Sequence, residues 1–178
     1  MGLPYTATCS FDTAGRTMMG LLPDALPAVF EGLVEAPLAM GANCGVGASD
    51  ILVSLLEMTA SPSALAFITK GNCGVPEFCG MDIHYSGTPE IMAAYAELAV
   101  NAGARIVGGC CGTSPVHLAA MRAAVDAAVA RNLAGDVATR PTIESIVGRI
   151  GPMANAAPSP NVARADGGSP RRRRRPTH

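Results

Sequence analysis

The sequence predicts an α/β chain built on a parallel sheet, and three observations carry that expectation. Four short apolar runs recur at intervals of roughly 30 to 40 residues, each followed by a segment whose apolar residues keep helical spacing. Glycine and proline punctuate the junctions. Cysteines stand at or just past the ends of the runs, at Cys9, Cys44, Cys73, Cys110 and Cys111. Parallel α/β proteins place their chemistry at the C-terminal ends of strands, in barrels and in doubly wound sheets alike.

Residues 4–11 alternate and are rich in β-formers, then stop at the polar turn Asp12 to Thr17. Residues 24–33 read as a short helix with Leu26, Val29, Phe30 and Leu33 on one face. The second strand is 37–42, and a helix capped by Ser49 or Asp50 follows it, carrying Ile51, Leu52, Leu55, Leu56 and Met58. Ser61-Pro62-Ser63 breaks that helix, and 64–69 is the third strand. The stretch from Lys70 to Gly87 is expected to be an irregular loop containing Cys79, His84 and Tyr85. Thr88 with Pro89 opens the next helix and Gly103 stops it. The fourth strand is 105–107. Ser114-Pro115 then caps a long helix striped with Leu118, Met121, Val125, Ala128 and Val129. One more short helix is expected over 141–150.

Half the chain is apolar and only 15% is charged, so a large buried core is expected, built with little aromatic material. No apolar run is long enough for a membrane span, and no secretory leader is visible at Met1 to Tyr5. Six cysteines without such a leader read as metal ligands or reduced thiols of a cytoplasmic protein. Charge is uneven. Through residue 160 there are seven Lys and Arg against thirteen Asp and Glu, a net −6; from Asn161 on, six Arg against one Asp give +5. The composition of 153–178 (Pro, Ala, Gly, Ser and Arg) cannot bury a core, so it is expected to be a disordered basic tail. Its run Arg171 to Arg175 lacks interleaved aromatics and reads as solubilising, with nucleic acid the weaker alternative.

The stretch Gly108-Gly109-Cys110-Cys111-Gly112 dominates the chemistry. Neighbouring side chains on a strand point to opposite faces, so two adjacent thiols serve one site only where the chain leaves strand geometry. The glycines permit that departure. Thiolates are soft ligands favoured by zinc; the competing reading is a buried thiol pair in a tight turn. A second cysteine turn, Gly41-Ala42-Asn43-Cys44-Gly45, favours the metal.

Gly41-Ala42-Asn43-Cys44 together with Gly109-Cys110-Cys111-Gly112-Thr113-Ser114-Pro115-Val116-His117-Leu118 resembles the paired zinc motifs of the homocysteine S-methyltransferases. The segments from Ser10 to Gly20 and Lys70-Gly71-Asn72 are more similar to the bacterial betaine-type branch. The resemblance covers roughly residues 4 to 130. It implies a TIM (β/α)8 barrel with Cys44, Cys110 and Cys111 as zinc ligands. It also implies methyl transfer from a betaine-like or other small donor to the thiolate of zinc-bound homocysteine, giving methionine. Set against that family, the first strand here looks like the barrel's fifth. The expected architecture is therefore the C-terminal half, four βα units in 1–135, then a short C-terminal helix in 136–152. The missing half would be supplied by a longer or two-part enzyme, or self-association would cover the open edges. Asn43, at a strand end, is expected to contact substrate, with Asp12 and Arg16 as further candidates unless they pair with each other.

Cys73 departs from the family pattern. It supplies the alternative, a non-catalytic protein whose structural zinc is closed by Cys44, Cys73, Cys110 and Cys111. Cys9 and Cys79 fall outside either ligand set. His117, three residues into a helix, reads as a packing or surface histidine, and His84 as exposed or lining a substrate mouth. Gly45-Val46-Gly47-Ala48 is not a phosphate loop, since it lacks a third glycine and a matching basic residue.

Overall fold

The computed structural model describes residues 3–154, with the side chains of Phe78 and Cys79 excepted. The basic tail from residue 155 onward, with Arg171 to Arg175, and the Cys79 thiol lie outside the described residues. Four strands form a parallel sheet: β1 (Thr6–Cys9), β2 (Ala39–Cys44), β3 (Ala66–Gly71) and β6 (Ala104–Gly109), in spatial order β1-β2-β3-β6. That order follows the chain without reversal, which is consistent with part of a barrel; a doubly wound sheet would show a switch point. The helices are α1 (Leu26–Phe30), preceded by a 3-10 turn at Pro23–Ala25, then α2 (Ala48–Met58), α3 (Pro89–Asn101), α4 (Pro115–Leu133) and α5 (Ile143–Ile150). No helix among the described residues is long and apolar enough to cross a membrane.

Strand alternation sorts the sheet into two faces. Met40, Ala42, Phe67 and Ala104 join Leu52, Leu55, Met92, Tyr95 and Ala99 in one core under the helices. The opposite face takes Thr6, Thr8, Gly41, Asn43, Ile68, Lys70, Ile106 and Gly108, by register with those residues. It is mostly small or polar. Tyr95, fully buried on α3, ties the C-terminal ends of β3 and β6 together. Its hydroxyl pairs with Thr69 Oγ1 at 3.0 Å, accepts from the Gly71 N–H at 2.9 Å and donates to the Gly108 carbonyl at 3.4 Å. Burial pushes that phenol up to about 12, so it stays a neutral donor.

Where local chemistry is decisive, the expected boundaries hold. Thr88 Oγ1 accepts from the Ile91 N–H at 3.3 Å to cap α3, and Gly103 ends it at φ 103°. Four expectations need correcting. Ser49 and Asp50 do not cap α2, because tertiary partners claim them: Ser49 Oγ donates to the Gly151 carbonyl at 2.7 Å, and the Asp50 carboxylate accepts from the Ala154 N–H. Gly47 takes the cap position without a side-chain bond. The first helix is shorter than 24–33 and buries Leu26 while leaving Val29 and Leu33 half-exposed. The expected irregular loop is an antiparallel hairpin, β4 (Pro76–Cys79) with β5 (Asp82–Tyr85). Gly80, at φ 69°, supplies the positive φ that its two-residue turn requires. The α4 stripe is only partly used: Met121 and Ala128 are buried, but Leu118 is 49% and Val129 42% exposed. These two line a groove of about 840 Å³ between α4 and β6, a strand whose outer edge has no partner among the described residues.

Candidate metal centre

Two backbone turns bring three thiols together. Along β2, Cys44 would continue the face of Met40 and Ala42, but it adopts φ 57° and Gly45 follows at φ 73°. Left-handed backbone at a residue with a Cβ costs about 1–2 kcal/mol, and such strain is typical of functional sites. The second turn begins where β6 ends at Gly109. Cys110 and Cys111 follow outside strand geometry, and Gly112 reverses the chain at φ 75°. Thr113 folds back so tightly that a Cβ on Gly109 would lie 2.4 Å from its side chain, so only glycine fits there. The Cys44 and Cys111 sulfurs are 3.8 Å apart, those of Cys110 and Cys111 3.9 Å, and all three lie within 4.8 Å of one another.

That spacing suits one ion. Zinc–thiolate bonds of about 2.3 Å at tetrahedral angles put sulfurs about 3.8 Å apart. Three thiolates so close repel one another, and a bound cation is the direct way to relieve it. Burial raises the Cys110 thiol, with its hydrogen bond to Cys111 and the neighbouring Cys44 acting in the same direction. Cys111 is lowered, first by hydrogen bonds from Cys44 and Cys110 and then by the nearby Tyr85 phenol. None of the three is fully buried, so a small molecule can approach.

The end of β3 clasps both turns, and this was not foreseen in the sequence. The Cys110 N–H donates to the Gly71 carbonyl at 2.8 Å, and the Cys73 N–H to the Cys111 carbonyl at 2.8 Å. Asn72, 3% exposed, accepts from the Cys111 N–H through Oδ1 at 3.1 Å. Its Nδ2 makes long contacts to the carbonyls of Gly45 and Val46, at 3.4 and 3.5 Å. One amide therefore touches both cysteine turns. Tyr85, from the hairpin, packs its ring on Gly112, where an added Cβ would meet it at 2.4 Å. Desolvation first, and the neighbouring Cys111 sulfur second, raise the Tyr85 phenol. The repeated Asn-Cys-Gly and the position of Tyr85 next to His84 were the only sequence signals for these two residues.

The remaining candidates fall elsewhere. Cys73 is 1% exposed and its S–H donates to the Gly87 carbonyl at 3.1 Å, so the four-thiolate alternative is not assembled. His117 engages both ring nitrogens, Nδ1 with Ser114 and Nε2 with the Gly87 carbonyl at 3.2 Å, in a helix cap. His84 is exposed on β5. Asp12 does not pair with Arg16; its Oδ1 accepts from the N–H groups of Ala14 at 2.8 Å and Arg16 at 3.3 Å, organising its own turn. Asn43 is half-buried, with its carbonyl accepting from Ser10 Oγ at 3.0 Å.

Removing the Asn72 amide leaves the Cys111 N–H without its acceptor and frees the two turns from each other. Asn72→Ala is expected to lower zinc affinity about 10–100-fold, the usual cost of losing a group that orients ligands. Competition with a chromophoric chelator measures it, and unchanged affinity would show that the clasp is unimportant to the site.

A family model described as homocysteine S-methyltransferase matches residues 1–125, a span that includes both cysteine turns and ends within α4.

Proposed function

The chain belongs to the homocysteine S-methyltransferase family, and from that premise we propose that it serves transfer of a methyl group to homocysteine, giving methionine, in the cytoplasm. The donor is a betaine-like or other small methyl compound. Cys44, Cys110 and Cys111 would hold zinc, and Asn43 would contact the substrate. The four-stranded sheet would form the C-terminal half of a (β/α)8 barrel, completed by four further strands in a longer or two-part enzyme.

The observation that carries this reading is the mutual approach of three sulfurs contributed by two strand ends. Three thiolates are one short of a tetrahedron, the arrangement of reactive rather than structural sites. Zinc bound there supplies the positive charge that keeps an incoming thiol ionised at neutral pH. The protein side then needs no general base at sulfur, in keeping with a cluster made of cysteines alone. Asn72 holds Cys111 in place by accepting a hydrogen bond from its backbone N–H, and the Tyr85 ring packs on the adjacent Gly112. In the transfer, a sulfur lone pair of homocysteine forms the new S–CH3 bond. The donor's bond to that methyl breaks, and its electron pair stays on the donor heteroatom.

X-ray absorption at the zinc edge tests the reading. The zinc-loaded chain should show three protein sulfurs, rising to four when homocysteine is added. Four sulfurs at the outset, or a first shell unaltered by homocysteine, would sink the proposal.

A further inference from the structure

Lys70 is the only lysine in the chain. It lies at the C-terminal end of β3, on the sheet face turned away from the helices, since its neighbours Thr69 and Gly71 both meet Tyr95 of α3. In register, Lys70 stands between Asn43 of β2, the residue before Cys44, and Gly108 of β6, two residues before Cys110. Gly108 leaves the space that the lysine stem occupies: a Cβ there would lie 3.2 Å from Lys70 Cγ and 3.9 Å from Cδ. The side chain is half-buried, and its ammonium forms no hydrogen bond or ion pair among the described residues. By contrast, Arg122, Arg131 and Arg149 each pair with a carboxylate.

We propose that Lys70 is a positioning residue for the substrate, its ammonium taking the carboxylate of the amino-acid thiol whose sulfur enters the cysteine cluster. This rests on the methyl-transfer reading and adds to it a specific anchor. A half-buried cation without a partner among the described residues, at the same strand ends that carry the cluster, suits a ligand that carries a thiol at one end and a carboxylate at the other. Charge-assisted contacts of this kind are about twice as strong as neutral ones. A lysine held against bare backbone at Gly108 also has fewer rotamers to lose when it binds.

The test uses the full chain loaded with cobalt in place of zinc, because a thiolate entering the coordination sphere changes the charge-transfer absorption whether or not Lys70 takes part. Homocysteine is compared with 3-aminopropanethiol, the same molecule without its carboxylate. The parent chain should bind homocysteine about tenfold more tightly, a difference of about 1.4 kcal/mol. Lys70→Met should abolish that preference while leaving 3-aminopropanethiol affinity and cobalt content unchanged, and Lys70→Arg should restore part of it. Equal affinity of the parent chain for both thiols, or a preference that survives in Lys70→Met, would overturn the inference and leave the methyl-transfer reading intact. If neither thiol altered the spectrum, the methyl-transfer reading would fail and the inference with it.

Discussion

Cys44→Ala, purified from zinc-containing medium, should contain almost no metal, whereas the parent chain should retain about one zinc ion. The expected effect is large because the three sulfurs act as a unit: with Cys44 gone, only Cys110 and Cys111 remain within reach of one ion among the described residues. Structural zinc sites bind with about 10–16 kcal/mol shared over four ligands, so one thiolate accounts for roughly 3 kcal/mol, a hundredfold or more in affinity. The substitution does not relieve backbone strain, since alanine at φ 57° is no easier than cysteine. Metal loss would therefore report ligation itself. Cys73→Ala and Cys9→Ala provide the contrast. Both thiols have their pKa raised by burial and stand outside the cluster, so both variants should keep their metal, with some loss of stability for the fully buried Cys73. Plasma emission analysis on desalted protein reads all three variants. Equal zinc in the Cys44→Ala and parent proteins would remove Cys44 from the site.

Purified alone, the chain should associate to at least twice its mass of 18.1 kDa and should bind zinc without measurable methyl transfer. The reason lies at the sheet's margins. β1 and β6 each pair on one side only among the described residues, which leaves two ladders of N–H and C=O groups open. Beside β6, the groove under α4 exposes Ile106, Leu118 and Val129, and Leu133 stands at its rim. Such a surface is stabilised by a covering partner. The face away from the helices contributes less than an apolar barrel interior would, because Thr6, Thr8, Asn43 and Lys70 occupy it. Leu118→Lys combined with Leu133→Lys should shift the chain toward monomer without loss of zinc. On the half-barrel reading, the groups that hold the donor against the amino acid, beyond the contacts proposed for Lys70 and Asn43, are contributed by other strands. Without them several kcal/mol of proximity are lost. Adding the N-terminal half of a related methyltransferase should recover some turnover. A monomer by light scattering that methylates homocysteine unaided would defeat this expectation.

The sequence by itself determined those features that depend on neighbours along the chain. Thr88-Pro89 and Gly103 bound α3, and Ser114-Pro115 opens α4, because caps and stops act within one helical turn. The departure of Cys110 and Cys111 from strand geometry was legible too, since glycines on both sides permit no more economical way for adjacent thiols to meet. The four parallel strands followed from periodicity, although most of their limits moved by about two residues, within the usual fraying of such assignments. The β4–β5 hairpin was missed because its signal, Gly80-Met81 between short runs, is weak beside the prolines and glycines around it.

Only the tertiary structure decided which cysteine turn does what. Asn43-Cys44-Gly45 and Asn72-Cys73-Gly74 are the same tripeptide. In the first, both Cys44 and Gly45 are left-handed, and the thiol joins the cluster. In the second, only Gly74 is left-handed, so the roles exchange: Cys73 is buried against the Gly87 carbonyl, and Asn72 becomes the clasp for Cys111. No local preference separates the two, because the difference comes from partners more than ten residues away. Cys111 lies 39 positions beyond Asn72 in the chain, and Gly87 lies 14 beyond Cys73. Packing brings those groups together, and with them a second tripeptide that resembles a ligand turn becomes the support for the first.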